Sequence, residues 1–318
     1  MKALLAIDGS SESALALEIT ASLTWPPGAQ IEVLTVLPTD AEWFGGPWDT
    51  GVAYVPRDEL DDRLRIDREA VLERAVARLR RPGIGVAARL VTGRAASVIV
   101  DVAEEIGADL VILGARGHGA IERAFLGSVS AEVVDQTHCS VLVARAPSAR
   151  RILIGTDGSD VAMSAIAFVG GSRLFEASTA RVINAVDVDP SWWMGFTPGD
   201  AAFTVDPYVS VVDEGRVRGE KLTSAAAMLL RLDGLDTSTV VHEGPADAAI
   251  VQEARTWKAD LVVVGTRGNG LMKRLLLGST ARSVLHHAAA SVLVARRAVK
   301  AVPHTEDATS EPMDAVHA

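Results

Sequence analysis

The stretch GARGHGAIERAFLGS, Gly114 to Ser128, returns almost unchanged as GTRGNGLMKRLLLGS from Gly265 to Ser279. Each copy follows an apolar run, Leu110-Val111-Ile112-Leu113 in one case and Leu261-Val262-Val263-Val264 in the other. Both space their glycines as Gly-x-x-Gly, nine residues, Gly-Ser, and the second begins 151 residues after the first. The repetition extends well beyond the glycines. KALLAIDGS from Lys2 matches RILIGTDGS from Arg151, VTGRAASVIV from Val91 matches HEGPADAAIV from His242, and SVLVAR occurs at Ser140 to Arg145 and again at Ser291 to Arg296. A period this long exceeds the roughly 20–50 residues of solenoid repeats and implies two copies of a whole domain. Ala146-Pro147-Ser148-Ala149 reads as the linker, which places the domains at 1–147 and 148–297 and leaves a polar, aperiodic tail at 298–318 that is expected to be disordered.

Within each copy, short β-branched runs alternate with helical patterns, the signature of parallel strands joined by right-handed helical crossovers. Strands are predicted near 2–8, 31–37, 84–91, 109–113 and 140–145, and near 151–157, 180–187, 236–243, 260–264 and 290–295. Uninterrupted apolar runs suit strands covered by helices on both faces, so the fold class is α/β, with two tandem Rossmann-like doubly wound domains. The first helix of each domain is predicted to start near Ser10 or Ser11 and near Ser159, residues able to cap free N–H groups. Two aromatic-rich segments, Pro38 to Pro56 and Asp187 to Val212, escape the pattern. They read either as surface loops pinned by aromatic anchors or as a lid or subunit contact.

Composition narrows the partners. With 48% hydrophobic and 23% charged residues the 318-residue chain suits a globular protein, and its net charge of -10 opposes nucleic acid and anionic membranes as main partners. The longest N-terminal apolar run, Ala3 to Ile7, is too short for a signal peptide or a membrane span. Together with a single cysteine, Cys139, this leads to the expectation of a cytoplasmic protein.

In an open parallel sheet the ligand crevice lies beyond the carboxyl ends of the strands, where strand order reverses. The glycine segments start at such ends. Gly114 and Gly117, with Gly265 and Gly268, are expected to let the backbone turn and approach a ligand, while Gly127-Ser128 and Gly278-Ser279 open helices whose N-termini attract phosphate. Arg116 and Arg267 either reach phosphate oxygens or project into solvent. Asp8 and Asp157 close the first strands, where each carboxylate either accepts hydrogen bonds from a nucleoside or caps the following helix.

With these motifs in place the chain resembles the tandem universal stress proteins of the ATP-binding subclass over nearly all of residues 1–297. The resemblance implies a five-stranded sheet of order 3-2-1-4-5 in each domain, antiparallel pairing of the two last strands, and one ATP per domain, with or without Mg. Carried over by position, it implies a first site of Ile7, Asp8, Val36, Gly114, Arg116, Gly117, Gly127, Ser128 and Val129. The second is Thr156, Asp157, Val186, Gly265, Arg267, Gly268, Gly278, Ser279 and Thr280. It further implies a nucleotide-dependent regulator of stress response or growth, acting on an unknown signalling partner and assembling as a homodimer of pseudo-dimeric chains.

Other readings compete with a regulator that binds adenine nucleotide. An enzyme that slowly hydrolyses ATP or transfers its phosphate has little support, because no Gly-x4-Gly-Lys-Ser/Thr loop, Gly-x-Ser-x-Gly elbow or His-Glu-x-x-His pair occurs. His118 is a possible base, yet its counterpart is Asn269. His138, His286 and His287 lie on predicted last helices without the partners of a metal site. Cyclic AMP is a third ligand class, against which two complete phosphate turns favour a triphosphate.

Overall fold

The computed structural model describes residues 1–38, 57–117, 126–187, 206–266 and 277–296. The first half contains β1 (Lys2–Ala6), α1 (Ser11–Ser22), β2 (Gln30–Leu37), α2 (Arg57–Leu79), β3 (Gly85–Thr92), α3 (Ala95–Glu105), β4 (Leu110–Gly114), α4 (Ser128–Gln136) and β5 (Ser140–Ala144). The second half repeats the series as β6 (Arg151–Gly155), α5 (Asp160–Gly171), β7 (Thr179–Val186), α6 (Asp206–Leu232), β8 (Asp236–Glu243), α7 (Ala246–Thr256), β9 (Leu261–Gly265), α8 (Ser279–His287) and β10 (Ser291–Ala295).

Side-chain alternation explains the layers. Ala3 and Leu5 of β1, Leu110 and Ile112 of β4, and Leu142 of β5 enter a core on the α1 and α2 side. Their neighbours Leu4, Ala6, Val111, Leu113, Val141 and Val143 enter a second core beneath α3 and α4. Since alternate residues of a strand point to opposite faces, a strand with helices on both sides must be apolar throughout. The runs at Leu110 and Leu261 meet this requirement, and the same two cores continue through the second half.

The strands form one ten-stranded sheet, β3-β2-β1-β4-β5-β10-β9-β6-β7-β8, so strand order reverses between β1 and β4 and again between β6 and β9. All pairings within each half are parallel. The halves join through β5 and β10, which run antiparallel with Leu142 opposite Leu293. Val141, Leu142, Val143, Val292, Leu293 and Val294 are all 0% exposed. Burying a Val or Leu side chain contributes about 1.5–3 kcal/mol, and this seam removes the apolar edge that either half would carry alone.

Reciprocal side chains complete the seam. Ser291 Oγ accepts from the backbone N–H groups of Arg145 (3.0 Å) and Ala146 (3.1 Å), while Ser140 Oγ accepts from that of Arg296 (3.4 Å). The Arg145 guanidinium donates to Leu285 O in α8 (2.6 Å), and that of Arg296 donates to Val134 O in α4. Each arginine following a last strand thus supplies positive charge to the carboxyl end of the other half's last helix, where the helix dipole favours it.

Three expectations change. β1 and β6 end at Ala6 and Gly155, two residues before Asp8 and Asp157, because the chain leaves the sheet there to enter a turn. Helix α6 begins at Asp206, so the last part of the 187–212 segment is helical; the aromatic residues of 39–56 and 188–205 and the tail from 297 lie outside the described residues. Val36 and Val186 are not equivalent. Lys2 pairs with Gln30 and Arg151 with Thr179, which sets Val36 against Ala185. A shift of one residue moves a strand side chain to the opposite face. Val36 and Ala185 accordingly pack on the α3 and α7 side, whereas Val186 packs against Gly215 of α6.

Candidate functional site

The crevice is built from two turns that leave adjacent strands. After β1, the Ile7 N–H donates to Leu34 O (2.9 Å) and the Ile7 carbonyl accepts from Thr35 Oγ1 (3.0 Å), which extends the grip of β2 past the end of the strand. In the second half, the Thr156 N–H donates to Ile183 O (2.9 Å) and its carbonyl accepts from Asn184 Nδ2 (2.7 Å). Next come Gly9 and Gly158, with φ of 83° and 75°, a left-handed conformation that favours glycine. They reverse the chain into the helix.

Asp8 Oδ1 accepts from the Ser10 N–H (3.0 Å) and from Ser10 Oγ (2.6 Å), and Ser10 Oγ in turn accepts from the Ser13 N–H (3.2 Å). Asp157 Oδ1 accepts from the Ser159 N–H (2.9 Å), and Ser159 Oγ accepts from the Ala162 N–H (3.3 Å). The serines are therefore the caps of α1 and α5. Each aspartate braces its cap with one oxygen, so the reading of Asp8 and Asp157 as the caps themselves is set aside.

The glycine segment comes from the other side of the crevice, and its glycines serve different ends. A Cβ on Gly114 would lie 2.7 Å from the carbonyl carbon of Glu12 and 2.9 Å from Ser13 N. On Gly265 it would lie 2.8 Å from Val161 Cγ1 and 3.2 Å from Val161 O. These two glycines admit the first turn of α1 and α5 onto the end of the strand, a close approach of backbone that requires glycine whatever the crevice holds. Gly117 is different: its Cβ would meet the carboxylate of Asp8, 2.6 Å from Oδ2. The first-strand acid and the glycine segment thus converge in the first half.

Gly127 and Gly278 are the N-caps of α4 and α8, with extended φ of -67° and -65°. Their own N–H groups donate back to Ala115 O (2.8 Å) and Thr266 O (2.6 Å). Among the described residues, no N-cap side chain caps either helix, in contrast to α1 and α5. Uncapped first-turn N–H groups and the helix dipole make these ends suited to an anion. Ser128 and Ser279 are exposed there, with Val129 and Thr280 half-buried behind them. Ser130, buried one turn in, donates to Gly114 O (2.8 Å) and ties α4 to β4.

Arg116 does not project into solvent. Its side chain is only 14% exposed and approaches Glu12 Oε1 at 4.0 Å. Its charge also bears on Arg145, whose guanidinium is pushed down to about 10, chiefly by burial and secondarily by Arg116. Positive charge is therefore concentrated between the first crevice and the seam. Arg267, Gly268, His118 and Asn269 lie outside the described residues.

Sequence reasoning missed Gly9, Gly158, Thr35, Asn184 and Ser130. The repeated Asp-Gly-Ser triplet after each first strand was the available signal for the two left-handed glycines. Nothing comparable marked Thr35 and Asn184, whose different side chains make the same bond to the first-strand carbonyl.

The model of the Universal stress protein family matches residues 1–145 and again 148–296. Universal stress protein Rv2623 of Mycobacterium tuberculosis is 30% identical over 286 residues, covering 84% of this chain and 86% of its own. Universal stress protein Rv2005c of the same organism is 29% identical over 286 residues, covering 86% and 83%. Among solved structures, a universal stress protein from Archaeoglobus fulgidus aligns over 93% of this chain and 98% of its own, with a TM-score of 0.61 at 20% identity. Among the described residues, no helix is long and apolar enough to cross a membrane.

Proposed function

The chain belongs to the universal stress protein family, and on that footing we propose that each half binds one ATP in the crevice between its first-strand turn and its glycine segment. The observation that carries this reading is the meeting of the Asp8 carboxylate with Gly117 beside the uncapped N-terminus of α4. A carboxylate accepts from ribose hydroxyls, a backbone without a Cβ allows close approach, and an open helix end holds phosphate. Ribose and phosphate are two parts of one nucleotide.

In this reading the N–H groups of Ser128 and Val129, and of Ser279 and Thr280, cradle phosphate oxygens, with Arg116 and Arg267 adding charge. Asp8 and Asp157 hold the nucleoside, and Ile7 and Val36, with Thr156 and Ala185, form the walls at the first and second strand ends. Occupancy then biases the conformation that a signalling partner reads, which makes the protein a nucleotide-dependent regulator of stress response or growth, working in the cytoplasm. A homodimer of whole chains would use a surface other than β5 and β10, which already pair within the chain.

Titration calorimetry of nucleotide-stripped protein with ATP tests the reading. The expected stoichiometry is two per chain, with negligible phosphate release over the same period. No binding overturns it, a stoichiometry of one overturns the assignment of the second site, and preferential binding of cyclic AMP overturns the choice of a triphosphate.

A further inference from the structure

The two crevices share their motifs but differ in the wall supplied by the long helix. Val71 of α2 packs against Gly9, its Cγ2 lying 3.1 Å from where a Cβ would stand. Leu222 of α6 packs in the same way against Gly158. Ala75 and Leu79 likewise match Ala226 and Leu230, all four buried. That correspondence places Arg68 opposite Gly219.

Arg68 extends over the first-strand turn, with Nη1 3.2 Å from the Cβ position of Gly9, the neighbour of Asp8. Its Nε is buried without a hydrogen-bond partner among the described residues. A buried guanidinium N–H without an acceptor is costly unless something else supplies the acceptor. In the second half Gly219 instead leaves room for Asn184, whose Oδ1 lies 2.6 Å from the Cβ position of Gly219. The first turn of the following helix differs too: Glu12 stands beside Arg116 in the first crevice, and the matching residue at the second is Val161. The charged Arg68 and Glu12 of the first site are thus replaced by the uncharged Gly219 and Val161 at the matching positions of the second.

We propose that Arg68 is a ligand-contacting residue of the first site, donating to an acceptor on the bound nucleotide, and that for lack of it the second site binds more weakly. The proposal rests on the nucleotide reading above. Arg68 lies at the Asp8–Gly9 turn, across the crevice from the α4 N-terminus. A ligand with phosphate at that helix end therefore presents its nucleoside end to the guanidinium, where a ring nitrogen or a ribose oxygen can accept.

The test is ATP titration of the full chain as wild type, Arg68→Met and Arg68→Lys, with the unfolding temperature of each unliganded protein measured alongside. Methionine keeps an apolar stem over Gly9 and removes the donors. The expected result is two ATP per chain in the wild type, the tighter Kd weakening about tenfold or more in Arg68→Met while the other stays unchanged. Lysine retains charge without the Nε donor and should fall in between. Two unchanged dissociation constants in folded variants overturn the proposal while leaving the nucleotide reading intact. Equal weakening of both sites overturns it as well, and an absence of ATP binding in the wild type overturns both. If Arg68 merely packs over Gly9, the variants lower the unfolding temperature and leave affinity alone.

Discussion

Gly114 and Gly117 stand three residues apart in one motif, yet replacing each with alanine should have opposite consequences. At Gly114 the new Cβ would meet backbone: Glu12 C at 2.7 Å, Glu12 O at 2.8 Å and Ser13 N at 2.9 Å. Carbon contacts settle at about 3.5–4.0 Å, so α1 must withdraw by roughly an ångström at its first turn. Overpacking of this kind costs about 1–3 kcal/mol, against about 0.4–1 kcal/mol gained by restricting the unfolded chain. A net loss of about 1–2 kcal/mol lowers the unfolding temperature by roughly 2–8 °C for a unit of this size. At Gly117 the obstacle is Asp8 Oδ2 at 2.6 Å, the end of a side chain that can rotate. Loosening the bonds from Asp8 to Ser10 costs about 1 kcal/mol, which the same chain-entropy gain largely offsets. The carboxylate, however, leaves its position. Scanning calorimetry without nucleotide and ATP titration with it separate the two outcomes: Gly114→Ala loses stability, and Gly117→Ala keeps it but loses about tenfold or more in affinity. A Gly114→Ala protein with the wild-type unfolding temperature, or a Gly117→Ala protein with full ATP affinity, would refute the division of roles.

The seam should respond to pH through His286, whose basicity is lowered first by burial and then by the nearby charges of His287, Arg145 and Arg282. A base with a depressed native value leaves stability intact above its ordinary value near 6.5 and loses it as pH falls below that point, since the unfolded chain then binds more protons. Urea midpoints at pH 7.5 and pH 5.5 should therefore diverge more in the wild type than in His286→Gln, and equal slopes would exclude His286 as the cause. Burial pushes the Cys139 thiol up to about 11, so it stays protonated at pH 8, and an aromatic disulfide reagent should label it only as fast as the protein unfolds. Native-state labelling at the denatured rate would contradict that environment.

The fold was legible because its main signals are local and were written twice. Apolar runs bounded by glycine and polar residues located the ten strands of the described residues, and two copies of each pattern removed the ambiguity that a short run carries alone. What was lost lies at element ends. A run such as LLAIDGS does not reveal that the chain leaves the sheet after Ala6, because the paired ladders end opposite Leu34 and Leu113, with Ile7 keeping bonds only to β2, and those partners are distant in sequence. The start of α6 at Asp206 was hidden by a segment whose aromatics resemble those of a loop.

The site was legible to the extent that it depends on residue type, and illegible where it depends on what fills a space. A glycine records that a Cβ is excluded, but what excludes it belongs to tertiary structure. Gly114 faces the backbone of α1, Gly117 a carboxylate, and Gly127 the Ala115 carbonyl at 3.2 Å. Pairing Val36 with Val186 failed for a related reason: the second strands share too little identity to align by eye, and only strand register shows that Val186 belongs to the α6 side. Arg68 is the extreme case. It sits among many charged residues on α2, with nothing in sequence to separate it from its solvated neighbours. Its position over Gly9, and the glycine that replaces it in the other half, emerge only when the two long helices are brought into register. Duplication preserves a motif, then, without preserving the walls around it, and it is in those walls that the two crevices of this chain differ.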